Sequence, residues 1–233
     1  MTPRFIRGLN LSVDYIRVKL TNAISAFSGT QVVDACFDSP NPAANPFCSL
    51  ITRDANHQLT FIQTSFFNAA QLQYRGIVAS WDYKFNTPFL GASSSLDLSG
   101  SYQRLLELSS IANAGAAKVH NEGTLGYPKN SFTATVNYLN GPLSLFTNFN
   151  YTGPVDQAVG EVADFREHQR LSSFLVLNGG GSVEIKRHFK LYVDVDNIFN
   201  KKPPFPVPAF GGSVTYFPGV LGRFYRFGVG YHF

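Results

Sequence analysis

Apolar and polar residues alternate one by one along most of this chain. The closing stretch GRFYRFGVGYHF sets Tyr225, Phe227, Val229, Tyr231 and Phe233 against Arg226, Gly228, Gly230 and His232. Successive strand side chains point to opposite faces, so a period of two predicts a two-faced strand. The same period recurs upstream. LNLSVDY sets Leu9, Leu11, Val13 and Tyr15 against Asn10, Ser12 and Asp14, and GIVASWDYKF sets Ile77, Ala79, Trp81, Tyr83 and Phe85 against Ser80, Asp82 and Lys84. SSLDLSGSY sets Leu96, Leu98, Gly100 and Tyr102 against Ser95, Asp97, Ser99 and Ser101. SFTATVNYL sets Phe132, Ala134, Val136 and Tyr138 against Ser131, Thr133, Thr135 and Asn137. FKLYVDVDNIFN sets Phe189, Leu191, Val193 and Val195 against Tyr192, Asp194 and Asp196, while LSLFTNFNY and FLVLNGGGSVEI follow more loosely. About eight strands result, near 5–20, 59–85, 90–104, 129–140, 142–153, 171–186, 189–200 and 221–233.

The connections alternate in length. Short turns fall at FNTPFLG, LNGPL and IKRHF, and long ones near 21–58, 105–128, 154–170 and 201–220. Strands of a soluble sandwich run to about five or six residues. These reach ten or more, enough to cross a bilayer at a tilt of about 45°. The polar faces carry Asp14, Asp82, Asp97, Asp194 and Asp196. Sealing them in a dry core would cost several kcal/mol for each unpaired charge, whereas a wet or plugged lumen accepts them. The pattern therefore predicts an all-β fold: an antiparallel transmembrane β-barrel segment of about eight long strands. It would be a curved meander that can stay open, with short periplasmic turns and long extracellular loops. The alternative is a soluble β-protein whose polar face is solvated, which strand length and loop asymmetry oppose.

Composition supports the membrane setting. Aromatic and charged residues each make up 15% of the chain, against about 25% charged in an ordinary globular domain. Mean hydropathy is nonetheless near neutral at -0.04. Lipid-facing aromatics combined with uncharged polar residues in the lumen give that balance. No apolar run is long enough for a membrane helix. Asn10, Ser12 and Asp14 interrupt any secretory core at the start, so no signal peptide is expected within this stretch. A net charge of +4 and a pI near 9.1 could suggest nucleic acid. The Lys and Arg residues never cluster beyond KR or KK, however, and no nucleic-acid partner is expected.

Two cysteines, Cys36 and Cys48, flank FDSPNPAANPF, a loop rich in Pro and Asn. In an oxidising setting a disulfide is the simplest reading, stabilising the loop by about 3 kcal/mol on the entropy model. A metal site using His57 lacks zinc-ligand spacing, and free thiols are the other alternative. Neither His120 with Glu122 nor His168 with Glu167 and Asp164 has a nucleophile in a recognisable setting. The chain is not read as an enzyme, and no metal or cofactor is implied. Gly179, Gly180 and Gly181 lack the Lys and following helix of a phosphate loop and instead mark a bend or a close approach.

The closing segments VDVDNIFNKKPP and GRFYRFGVGYHF resemble the C-terminus of TonB-dependent receptors. There a strand ending in Asn-(Leu/Ile)-Phe leads into the last outer loop, and a final strand beginning with Gly-Arg ends in Phe. LNLSVDYIRVKLTNAI, PFCSLITRD and FNAAQLQYRGI look like the same family's late barrel strands and Cys-bearing outer loop, and the resemblance runs through essentially the whole chain. It implies an outer-membrane wall in a Gram-negative cell, part of a barrel of about 22 strands built around a plug domain. The implied function is TonB-energised uptake of an iron chelate, cobalamin, a sugar or a similar nutrient.

In that family the alternating Tyr225, Phe227, Val229, Tyr231 and Phe233 would be the signal read by the outer-membrane assembly machinery. Residues 1–233 are expected to supply only the last eight or so strands, without plug, TonB box or export signal. The implied partners are outer-membrane lipid, the rest of the barrel and the plug, with TonB reached only through the missing N-terminal part. The runner-up is a self-contained small outer-membrane barrel, either adhesin-like or a lipid-modifying enzyme. Candidate ligand contacts are Phe205, Phe210, Tyr216 and Phe217 in the last long loop, with Arg53, Arg166 and His168 elsewhere. Aromatics and Arg concentrate where binding energy does. The alternative is that these residues pack loops together or belong to an outer aromatic belt.

Overall fold

The computed structural model describes residues 6–26, 28–37, 41–64, 66–111, 117–157, 170–186, 188–204 and 217–231. Among them run β1 (Leu9–Ala26), α1 (Gly29–Phe37), β2 (Ile51–Arg53), β3 (Leu59–Ile62), β4 (Phe66–Asn86) and β5 (Ser94–Ile111). There follow β6 (Val119–His120), β7 (Asn130–Asn140), β8 (Leu143–Thr152), β9 (Val155–Asp156), β10 (Arg170–Leu171), β11 (Phe174–Ile185), β12 (Phe189–Asp196) and β13 (Phe224–Tyr231). The main sheet has the order β1-β4-β5-β7-β8-β11-β12-β13, with β6 pairing onto β5. Among the described residues no pairing joins β1 to β13, so the sheet is not closed. The eight long strands expected from the alternation are present. The one predicted near 59–85 is two elements: β3, which pairs with β2 in a separate hairpin, and the wall strand β4. No described helix is long and apolar enough to cross a membrane, which leaves crossing by strands open.

Residues directly opposite each other across an antiparallel pair share a face. One row runs Leu98, Val136, Thr147, Gly179, Val195 and Tyr225. The next row runs Asp97, Asn137, Phe146, Gly180, Asp194 and Arg226. The predicted separation of an apolar from a polar face thus holds through six consecutive strands. Its conspicuous exception is Phe146, on the polar side. The apolar face is bare: Phe227 is 85% exposed and Val229 67%. Leaving such side chains in water forgoes about 1.5–3 kcal/mol each, so the face calls for an apolar solvent.

Ring pairs mark both ends of that face. Tyr83 stacks on Phe85 at 4.6 Å and Phe189 tilts on Tyr231 at 4.9 Å, both beside short turns. Phe132 stacks on Tyr151 at 5.1 Å, where the strands enter long connections. Two aromatic levels bounding an apolar band are what membrane interfaces select. Between them Gly100 lies beneath the indole of Trp81, where any Cβ would collide with the ring.

The chain divides into two compact units, one of residues 1–16, 76–106 and 122–233, the other of 17–75 and 107–121. The second contains a small module around Val32 and Phe47, with Ala35, Leu50, Ile51 and Ile62 packed against them. A nine-residue helix is marginal by itself. Here α1 begins with a reciprocal cap: Ser28 Oγ accepts the Gln31 N–H (3.3 Å), and Gln31 Oε1 accepts the Ser28 N–H (2.9 Å). The Cys36–Cys48 disulfide, with Cα atoms 4.8 Å apart, ties its last turn to the next segment. Asn45 Nδ2 donates to the Ala35 carbonyl at 2.6 Å.

Candidate functional site

The described parts of the long connections in the first unit pack on the polar face. β9 pairs with β10, and Asp156 bridges in parallel to Thr124. The Asp156 N–H donates to the Gly123 carbonyl at 2.7 Å, and the Leu125 N–H donates to the Asp156 carbonyl at 3.1 Å. Together the loops bury Val155, Leu171 and Phe217 against Phe174 and Val176 of β11, with Leu125 alongside. Phe174 lies opposite Thr152 and Val176 opposite Asn150, positions that alternate with the apolar Tyr151. The cluster therefore sits on the face carrying Asn150, Asp97 and Asp194. Phe174 and Phe217 meet edge to face at 5.7 Å, and the Lys201 ammonium lies 5.3 Å from the Phe174 ring centre.

Two asparagines fasten the last loop, and sequence reading passed over both as site residues. Asn197, of the Asn-Ile-Phe stretch, is buried at a φ of 50°. Its Nδ2 donates to the Lys201 carbonyl and its Oδ1 accepts the Lys201 N–H, each at 2.9 Å, while its own N–H donates to Asn178 Oδ1 at 2.8 Å. Asn200, also at a φ of 50°, accepts the Arg223 N–H at 2.9 Å. The loop thus leaves β12 and enters β13 through two side-chain clamps. Asn tolerates the left-handed backbone such a sharp exit needs.

Below the loops the polar face holds two shallow grooves. One of about 410 Å³ is lined by Ser144, Phe146, Ser182, Lys190, Tyr192 and Asp194. The other, about 360 Å³, is lined by Ser101, Gln103, Ser131, Thr133, Asn150 and Thr152. Asp194 and Phe146 close over Gly180, where a Cβ would lie 2.5 Å from Asp194 Oδ1 and 2.8 Å from the Phe146 ring. Hydroxyls and amides dominate this wall. Its one described ion pair, Arg226 to Asp196 at 3.3 Å, is open to solvent and worth at most about 1 kcal/mol. Asp97 Oδ1 is buried without a hydrogen-bond partner. The surface can hold a hydrated or hydrogen-bonding occupant. Among the described residues no three His, Cys, Asp or Glu side chains gather as a metal site would require.

The candidate contacts fall in different places. Arg53 lies in the β2–β3 hairpin of the second unit, over the exposed Phe37 ring at 5.4 Å, and its Nη1 donates to the His57 carbonyl at 2.9 Å. Phe217 is 4% exposed and spent on loop packing, the alternative already weighed for it. Arg166, His168, Phe205, Phe210 and Tyr216 lie outside the described residues, as does Phe233. Tyr225, Phe227, Val229 and Tyr231 stand together on the apolar face.

A family model described as TonB dependent receptor-like, beta-barrel matches residues 4–198. Among solved structures the chain is similar to three mutants of the ferric enterobactin receptor PfeA from Pseudomonas aeruginosa, one of them in complex with enterobactin. Each superposes with a TM-score of 0.52 at 15–16% identity, over 84% of this chain and 24% of the receptor. At that identity the likeness is one of fold. No curated protein sequence matches the chain.

Proposed function

The chain belongs to the TonB-dependent receptor-like β-barrel family, and from that membership we propose that it forms the C-terminal wall of an outer-membrane receptor for nutrient uptake. An iron chelate is the favoured cargo. The family match over residues 4–198 carries the reading. Three features of the chain support it. The bare apolar face suits lipid. The polar face, with its grooves and the unpaired Asp97 oxygen, suits an interior occupied by a plug domain and by solute in transit. Among the described residues the strand order ends at β1 and β13, and further strands of a wider barrel would pair with those two edges, since unpaired backbone in hydrocarbon costs several kcal/mol per group. The wall performs no chemistry. Plug and TonB contact come from other parts of a longer receptor, and the outer loops contribute ligand contacts, with Arg53, Arg166, His168, Phe205, Phe210 and Tyr216 the candidates.

The test is fractionation of the native host, with mass spectrometry of peptides from these residues, paired with uptake of labelled ferric chelates. The expected parent is an outer-membrane polypeptide several times longer than this chain, whose uptake stops when TonB is deleted. A 25.7 kDa product in the soluble fraction, or uptake indifferent to TonB, would overturn the reading.

A further inference from the structure

The second unit gathers charge that the wall does not use. Glu107, almost wholly buried, receives Arg75 Nε on Oε2 at 2.5 Å. Its Oε1 is taken by the Lys118 ammonium and by Ser109 Oγ. A cavity of about 120 Å³ opens beside this carboxylate, lined by Arg17, Val18, Lys19, Gln73, Arg75 and Glu107. Two cations, Arg75 and Lys118, thus occupy the carboxylate oxygens, and two more, Arg17 and Lys19, share the cavity lining with Arg75 and Glu107. Among the described residues neither Arg17 nor Lys19 has an ion-pair partner. Like charges gathered without a counter-ion are unfavourable, and Arg and Lys donors lining one small void, Arg75 among them held by Glu107, match a tetrahedral oxyanion. The void is several times the roughly 15 Å³ that one water needs.

We propose that Arg17, Lys19 and Arg75, backed by Lys118, form a binding site for a phosphate group. In chemical terms the ligand is a phosphomonoester or pyrophosphate, carried either by a lipid headgroup or by a soluble solute. Glu107 is the positioning residue. By fixing Arg75 and Lys118 it holds two of the four cations in place, and it leaves the outer pair for the ligand. The site lies on the strand ends that lead into long connections, the side where this family meets the outer leaflet and the medium.

The chain refolded in zwitterionic detergent is titrated with inorganic pyrophosphate by calorimetry at low and at physiological ionic strength. Native mass spectrometry then counts phosphorylated glycolipid retained from mixed vesicles, against phosphatidylcholine alone. Saturable, salt-weakened pyrophosphate binding is expected, or selective retention of the phosphorylated lipid, or both. Pyrophosphate binding identifies a soluble source and lipid retention alone a headgroup. The R17Q/K19Q pair, with folding verified by circular dichroism, should weaken binding about tenfold or more, while R17K/K19R keeps it within about threefold. No preference for either phosphate probe over its control would overturn the proposal. So would wild-type affinity in the folded R17Q/K19Q protein.

Discussion

Replacing Val193 by Arg puts a charge in the middle of the apolar face. Val193 lies opposite Phe227 on one neighbour and Gly181 on the other. Gly181 contributes no side chain and no acid stands in that row, so the guanidinium would find neither cover nor partner. On the lipid face of a membrane barrel such a change costs about 2–4 kcal/mol at mid-bilayer and about 0–1 near the interfaces. That is roughly a 30- to 700-fold loss in the folding equilibrium. Tyr231→Arg, in the aromatic level beside a short turn, should therefore cost far less. Asp194→Asn is one residue from Val193 but on the polar face, and should stay within about 0.5 kcal/mol. Trp81, the only tryptophan, sits on the apolar face and reports folding. Urea titration in phospholipid vesicles followed by its fluorescence gives the three values. If Val193→Arg lay within about 0.5 kcal/mol of the parent, or if Asp194→Asn cost more, the face would not be meeting lipid.

Reducing the disulfide, or replacing Cys36 and Cys48 by Ser, should destabilise the module around Val32 by about 3 kcal/mol and open residues 41–53 to proteases, while thiol labelling of unreduced protein finds neither cysteine. Phe217→Ala should cost the loop cluster about 3–5 kcal/mol, read as faster hydrogen exchange at Val155, Leu171 and Phe174. Asn197→Ala removes both bonds to Lys201 and leaves a Cβ residue at positive φ, so a loss of about 2–3 kcal/mol and faster exchange of the Lys201 amide are expected.

What the sequence made legible was what alternation encodes. A strand with one face in lipid and the other in a polar interior must change polarity at every residue, so Leu96–Tyr102 and Phe189–Val195 announce themselves. Alternation limits register only to slips of two residues, since a one-residue slip would swap the faces, and the pairing itself comes from the structure. The loops were a different matter. Helix α1, GTQVVDACF, is too short for a clear period and draws its stability from the disulfide and from Phe47, which is distant in sequence. Its capping signal, Ser28 followed three residues later by Gln31, was nevertheless there to be read. The loop cluster rests on Val155 and Leu171 of one connection meeting Phe217 of another, contacts that no local pattern carries. Phe217 is buried in the loop cluster, and an aromatic in a loop reads the same in sequence whether it faces solute or a neighbouring loop. The cation cluster was hidden for a similar reason: Arg17, Lys19, Arg75 and Lys118 are scattered singly along the chain and converge only through strand pairing.

The central claim is that one face of this sheet meets lipid and the other a polar interior. Single cysteines introduced at Leu98, Val136, Val193 and Phe227, and in turn at Asp97, Asn137, Asp194 and Arg226, test it directly, the native pair being locked in its disulfide. With the receptor in its membrane, the first four should resist a charged water-soluble maleimide and be quenched by spin-labelled lipid. The second four should react with the maleimide, or be protected by the plug, and escape the lipid quencher. Equal behaviour of the two sets, or lipid contact at Asp97 and Asp194, would contradict the account.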